Sequence, residues 1–436
     1  MGSKRNRAVR RQQARENPTT SAAPAGEKGS MSARSTQAII WGSAFVSVLP
    51  LLFYWSHFNE LFFFHDDFLL LDELSRTTLV RWIFHPFLNE SIFPLFKSLW
   101  IAAVWSSGGS YMALIALQWV THFTICLAFG WLLIRMRLPA VAAGFAVLTF
   151  GLASSNLETL AWSIQWNSQL SLLFFLLAWH ALLRILERQT GARWYVAYVA
   201  CIVASTLCSS RGVVCGLLLA LFTILVGGRS RIALCAASVV PTVILVLITW
   251  LWVPASRPSQ VGALTYGLNY LALNPLYSLI PISHDATSWV VILLFGSIKA
   301  MVIAWAFHKS SRRLYPFLIA LVVFDVATAA ALGYARTWTG LKTTVSSRYQ
   351  YIPLLCFGPM LGIMIEGWRR EMRVLVFVAW ICLLSYRWEG DLDRWVFSRG
   401  THIRQLLSTY PPSAPFDPSR LTARRGRKLI EQYNLH

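Results

Sequence analysis

Long apolar runs separated by short polar or basic stretches dominate the chain from residue 36 to residue 388. Eleven runs stand out, at 36–58, 111–134, 139–155, 162–183, 194–209, 212–228, 231–253, 289–307, 314–333, 350–367 and 373–388. A helix that crosses the hydrocarbon core needs roughly 20 residues, and its backbone groups must be satisfied internally. The pattern therefore predicts an all-α polytopic membrane protein with about 11 transmembrane helices. A twelfth apolar stretch, residues 91–105, is short and contains Pro94 and Lys97. It reads as an interfacial or re-entrant helix inside a first outer loop, 59–110. The chain thus divides into a basic, disordered cytoplasmic N-terminus (1–35), a transmembrane domain (36–388), and a polar, basic outer tail (389–436).

Charge placement sets the orientation. With the N-terminus inside, the five short inner loops (135–138, 184–193, 227–231, 308–313, 367–373) hold 13 Lys/Arg in 32 residues. The five outer loops (59–110, 154–161, 209–212, 254–288, 334–349) hold 8 in 115. Basic residues collect on the cytoplasmic side, so the count predicts a cytoplasmic N-terminus and an outer C-terminus. Eight Lys and Arg fall in the first 37 residues, with no small-residue cleavage site after the first apolar run. That run reads as a retained helix rather than a signal peptide.

Composition agrees. Hydrophobic residues make up 56% of the 436, charged residues 13%, and the mean hydropathy is +0.52. Soluble domains carry about 25% charged residues, so soluble and disordered classes are excluded. An outer-membrane barrel would show weak alternation instead of long runs. The net charge of +20 reflects loop-flanking basics, not a nucleic-acid footprint, so nucleic acid is not expected as a partner. The seven Cys lie in or beside apolar runs without metal-ligand spacing, and read as small buried residues.

The chain has only 19 acidic residues, so their positions carry information. Five crowd one stretch of the first outer loop: Glu60, Asp66, Asp67, Asp72 and Glu73. Asp66 and Asp67, next to His65 and a run of Phe, can serve as a general base or hold a divalent cation such as Mg²⁺ or Mn²⁺. The alternative is that one of them caps the adjoining helix FLLLDEL. Two carboxylates alone make an incomplete cage for a metal.

From this loop onward the chain resembles the GT-C glycosyltransferases, membrane enzymes that use polyprenyl-phosphate-linked sugars. The closest likeness is to the transmembrane O-mannosyltransferase-like branch. An outer-loop Asp-Asp after the first crossing is similar to the family's signature. FPLFKSLWIAAVWSSGGSYMALIALQWVTHFTICLAFGWLLIRMRLP resembles the branch's loop and second crossing. In FAVLTFGLASSNLETLAWSIQWNSQLSLLFFLLAW, Glu158 and Trp162 match a Glu-x-x-x-Trp pattern. SSRYQYIPLLCFGPMLG places Arg348, Tyr349, Tyr351 and Pro353 on an Arg-Tyr-x-Tyr-x-Pro pattern. The likeness covers roughly residues 36–388. It departs at Ser210-Arg211, where relatives often carry Lys-Glu, and at Gln165 and Asn167, where they often carry Arg and Asp.

The resemblance implies a sugar donor on polyprenyl phosphate, a glycan, lipid or protein acceptor, and membrane lipids around the chain. It also implies an outer-face site with Asp66 and Asp67 as catalytic residues. Arg348, Arg211, Lys342 and Arg336 fall near outer helix ends and suit a donor phosphate; the bland alternative is snorkelling to headgroups. His65, Glu158, Trp162, Gln165, Asn167, Tyr349 and Tyr351 are candidates for the acceptor cavity. His85 and Lys97 either touch a substrate or anchor the interfacial segment. Glu158, the only acid of its loop, is otherwise a solvated charge.

Lys299 and Asp325 fall inside consecutive apolar runs, about 15 Å and 12 Å below their outer ends at helical rise. Lone charges there cost roughly 2.5–3.5 kcal/mol on insertion scales, so a structural ion pair is expected. The sequence thus points to a glycosyltransferase in the bacterial inner membrane, with the endoplasmic reticulum as the other location. A transporter or flippase, or a non-catalytic scaffold, are the competing classes.

Overall fold

The computed structural model describes residues 33–87, 92–187, 191–227, 231–252, 262–280, 285–415 and 421–436. The N-terminal 32 residues and Asn89-Glu90-Ser91, formally a glycosylation sequon but meaningful only in a eukaryotic lumen, lie outside the described residues. By compactness the chain divides into Met1–Ala38 and Ile39–His436. The first part is described only from Ala33, where helix α1 (Ala33–Val46) opens. The second part holds every other element.

The first loop carries α2 (Asp66–Leu74), α3 (Leu79–Phe84) and α4 (Pro94–Ser106). The bundle continues with α5 (Tyr111–Arg135), α6 (Ala140–Gly151), α7 (Trp166–Leu186), α8 (Ala192–Cys208), α9 (Gly212–Val226) and α10 (Arg231–Trp252). A shorter α11 (Ala263–Leu273) precedes α12 (Trp289–Lys309), α13 (Tyr315–Arg336), α14 (Tyr351–Glu366) and α15 (Arg370–Tyr386). The C-terminal region holds α16 (Trp388–Val396), α17 (His402–Thr409) and α18 (Ala423–Tyr433). Among the described residues there is no strand, only a bridge between Pro415 and Thr422.

Helices fall in all eleven apolar runs, but unequally: the first run is broken into Ala33–Val46, Leu49–Phe53 and Trp55–Glu60. Among the described residues six stretches are long and apolar enough to cross a membrane, from Ala33–Phe53 through Arg312–Thr339. Helix α6 has 12 residues and is bent by 51° against Ser154–Ala161; counted as one span, that pair makes seven. At about 1.5 Å per residue, α6 alone reaches about 18 Å, well short of a ~30 Å core. Helices α8, α9 and α14 are apolar and 15–17 residues long.

Packing explains why the short helices hold. Every residue of α6 except Val141 is buried, and it lies against α14. Gly358 and Gly362 of α14 face the Ala146 and Ala142 carbonyls, and a Cβ at Gly362 would overlap the Ala142 oxygen. Small residues four apart let two backbones approach where no hydrophobic driving force exists between helix and lipid.

The buried apolar residues form two main cores. One fills the helical bundle, including Phe129, Phe175, Trp179 and Phe324. The other lies at the acid-loop end, where residues 58–104 meet the start of α5, the 157–170 segment and the C-terminal region from Trp388 to Leu435. The described residues of the segment expected as a polar tail, 389–415 and 421–436, are therefore a folded part of that end. Phe62 N donates to Arg399 O, Asn434 Nδ2 to Gly108 O, and Tyr111 N to His436 O at 2.9 Å. Gly109, at φ +88°, is hemmed in by the Tyr433 and Asn434 carbonyls, so no side chain fits there.

Candidate active site

The chain enters the acid loop through an extended Leu61–Phe64 segment whose side chains are all buried. That anchoring delivers His65, Asp66 and Asp67 to the start of α2. His65 has φ +42°, a left-handed backbone that a bulky residue rarely adopts. Neither aspartate is the N-cap; both sit in the first turn, where the helix dipole favours negative charge.

The two carboxylates have different surroundings. Asp67 is fully buried; its Oδ1 accepts from Ser163 Oγ (2.5 Å) and its Oδ2 from Phe64 N (3.0 Å). Burial pushes its pKa up to about 7, against the two hydrogen bonds, with Asp66's charge adding to the rise and His65 opposing it. Ser163 also accepts from Trp100 Nε1 (3.0 Å), so Asp67 ties three separate segments together. Asp66 keeps part of its surface exposed, with Oδ1 2.5 Å from His65 Nδ1.

The remaining loop acids are engaged elsewhere. Asp72 pairs with Arg76 (2.8 Å) and with Arg425 of α18 (2.5 Å), and Arg425 also bonds Ser75 Oγ. Glu73 holds both His85 (2.5 Å) and Lys97 (3.1 Å). Lys97 is fully buried; its Nζ donates further to Trp82 O and His85 O, each at 2.9 Å. Burial pulls the Lys97 pKa down, and Glu73 pulls it back up. All three of its protons are used, so Lys97 serves as a pin inside the loop. His85 is joined to the same knot.

A second group forms around Arg348. The turn before α14 is gathered onto Glu158: its Oε2 accepts from Ser346 Oγ (2.9 Å), Ser347 Oγ (2.9 Å) and Arg348 N (3.2 Å). Glu158 is buried, not a solvated loop charge. Arg348 Nε lies 3.9 Å from Glu158 Oε1, and its guanidinium sits 5.0 Å from the Tyr349 ring centroid. Burial works against its charge, but Tyr349, Glu158 and, more weakly, Asp66 outweigh this and raise its pKa. Arg211 Nη2 is 3.5 Å from Arg348 O, and Arg211 lies in the fields of Arg336 and Arg348. Thus Arg211, Arg336 and Arg348 share one neighbourhood, and Asp66 acts on it. Lys342 is exposed, and its charge bears on Asp285.

Trp162 stands at the acid pair, its ring 5.5 Å from Phe64 and 6.4 Å from His65. Gln165 and Asn167 are half-buried a turn later; Asn167 Oδ1 accepts from Ser168 Oγ (2.7 Å). Tyr349 is buried, and its carbonyl accepts from Tyr270 OH (3.2 Å). Tyr351 points away into the bundle, its OH 2.6 Å from His122 Nδ1, so it lines no cavity with the others. Lys299 Nζ and Asp325 Oδ2 are 2.5 Å apart in the middle of α12 and α13, both buried.

No protein-family model matches the sequence, and no curated protein matches it. Among solved structures, the chain is similar to the oligosaccharyltransferase AglB of the archaeon Archaeoglobus fulgidus. That protein, in complex with an inhibitory peptide and a dolichol-phosphate, matches with a TM-score of 0.53 at 13% identity over 92% of this chain. The likeness is one of fold: the described helices follow the membrane-helix arrangement of that oligosaccharyltransferase. An oligosaccharyltransferase of the same archaeon in the apo form gives 0.48 at 14% identity over 91% of the chain. The form tethered to an acceptor peptide with an NVT sequon gives 0.46 at 14% over 93%. This chain spans 59% of the length of each.

A divalent cation would need more donors than the acid pair offers. Both Asp67 oxygens are committed, and among the described residues no group of three His, Cys, Asp or Glu is placed to hold a metal. The residues present do not form a cage for Mg²⁺ or Mn²⁺. Sequence reasoning also missed the supports. Ser163, Ser346 and Ser347 are common residues without motif context, and nothing local marks them. Arg425 had a signal: an acid-rich loop and a basic tail are complementary in charge.

Proposed function

We propose that this chain transfers a sugar from a polyprenyl-phosphate-linked donor to an acceptor hydroxyl on the outer face of a membrane. One observation carries the reading. The Arg348 turn is gathered onto Glu158, and Arg211 Nη2 lies 3.5 Å from Arg348 O, so cationic and carboxylate groups from distant parts of the chain lie together. The dolichol-phosphate in the AglB complex supports a lipid-phosphate ligand for such a cluster.

In this reading the donor phosphate lies at headgroup depth against Arg348, Arg211 and Arg336, with Lys342 on the same loop. The acceptor O–H gives its proton to Asp66, and its oxygen attacks the anomeric carbon from the face opposite the phosphate. The anomeric C–O bond breaks, and its electron pair leaves on the polyprenyl phosphate, whose charge the guanidiniums stabilise. Configuration inverts. Asp67, buried and paired, positions Asp66 rather than touching substrate. His65, Trp162, Gln165, Asn167 and Tyr349 border the acceptor side. The acceptor is a glycan, lipid or protein, in a bacterial inner membrane with the N-terminus cytoplasmic and the C-terminus outside.

The test is sugar transfer by the protein in lipid vesicles supplied with a polyprenyl-phosphate sugar. Asp66→Asn is expected to lower the rate about 10²–10⁴-fold, and Arg348→Ala about 10²–10³-fold. Asp67→Asn should retain most activity. Full transfer by Asp66→Asn at normal protein levels would sink the assignment and favour the scaffold reading. A transporter would need mobile charges along a midplane path; the Lys299 ammonium has all its protons committed.

A further inference from the structure

A chain of buried hydrogen bonds links the middle of the bundle to the Arg348 turn. Lys299 is the central residue of α12, and its Nζ donates to Leu271 O (2.8 Å), Asn274 O (2.6 Å) and Asp325 Oδ2 (2.5 Å). Leu271 O and Asn274 O lie at the C-terminal end of α11, where carbonyls lack helical partners and a cation is favoured. Asn274 carries the connection onward. Its Nδ2 donates to Thr344 O (2.9 Å), and its Oδ1 accepts from Gln350 Nε2 (2.7 Å). Gln350 Nε2 also donates to Ser346 O (3.3 Å). Asn274, Thr344 and Gln350 are completely buried. The turn that Glu158 holds from one side is thus held from the bundle side by this chain.

The composition of the pair makes sense in these terms. Two apolar residues would fill the space of Lys299 and Asp325 without the cost of burying charge. They would leave the Leu271 and Asn274 carbonyls unpaired, and Asn274 would lose its fixed backbone. A uniquely oriented Asn274 requires a donor at the Lys299 position.

We propose that Lys299, Asn274 and Gln350 are positioning residues: a relay from the Lys299–Asp325 pair that fixes the Arg348 turn and so sets affinity for the donor phosphate. The link to affinity rests on the reading of Arg348 as the phosphate anchor; the link to the turn does not.

Two variants separate the possibilities, each in the full chain in lipid nanodiscs. Lys299→Met combined with Asp325→Leu removes the donor but keeps neutrality and volume. Asn274→Ala breaks the relay and leaves the ion pair intact. The first readout is amide hydrogen exchange over residues 344–350; the second is binding of a polyprenyl monophosphate. Both variants are expected to speed exchange in that turn about tenfold and to weaken probe binding about tenfold, with α12 and α13 protected as in the parent. If the double variant fails to assemble, Asn274→Ala decides. Unchanged exchange at 344–350 overturns the relay. Faster exchange with unchanged probe affinity, while Arg348→Ala weakens binding, overturns its role in positioning. If Arg348→Ala has no effect on binding, the phosphate-anchor reading falls, and the exchange result alone upholds or overturns the relay.

Discussion

Asp66 and Asp67 are adjacent in the chain and opposite in circumstance. The residue pattern pointed to the pair, but a buried, doubly bonded carboxylate and a partly exposed one look alike in sequence. What separates them is Ser163, 96 positions away, and no local signal reports such a partner. The same difference predicts a pH effect. Asp67 has a folded pKa of about 7, above its value in an unfolded chain. Its contribution to stability is fully present below the unfolded value near 4 and is lost as pH rises through about 7. Asp67→Asn cannot ionise, and its amide can face Ser163 while its oxygen faces Phe64 N. Thermal unfolding followed from pH 5 to pH 8 should show a decline in the parent that is visibly smaller in the variant. Equal slopes would place the titration elsewhere.

At the scale of elements, hydropathy located the long bundle helices but not their length through the membrane, and it missed α11, which lies in a stretch read as outer loop. Residues 139–155 read as one crossing, yet α6 stops at Gly151 and the chain bends. Apolar character continues past the bend because 152–164 is buried in protein rather than in lipid. The α6–α14 contact was equally hidden, since small residues in an apolar run look like weak spanning residues. Gly362→Val should cost about 1–3 kcal/mol through overpacking, read as a lower denaturation midpoint. Gly367→Ala, where nothing lies within 4 Å of an added Cβ, should change little. Pro94 is the first residue of α4, where its fixed φ suits a helix start. The sequence suggested a surface-lying helix there, and the packing shows why Lys97 is tolerated, because Glu73 and two carbonyls enclose it.

At the scale of the whole molecule, the C-terminal region completes the acid-loop end. The excess of acids in the first loop and of bases in the tail was legible; their pairing across more than 350 residues was not. Asp72 is buried and shared between Arg76 and Arg425. Arg425→Ala should therefore cost about 1–3 kcal/mol through a poorly compensated acceptor. Faster protease cleavage within residues 61–76 would report it, and an unchanged digestion pattern would count against the tail as a brace.

This architecture fixes when the candidate site comes into being. Phe63 and Trp82 belong to the same apolar core as Leu429 and Leu435. During synthesis the ribosome delivers the first of these hundreds of residues before the last. Until Leu435 has emerged, that core lacks part of one wall. A nascent chain can thread its early helices into the bilayer, but the packing around the acid loop closes only after Leu435 has followed, late in synthesis.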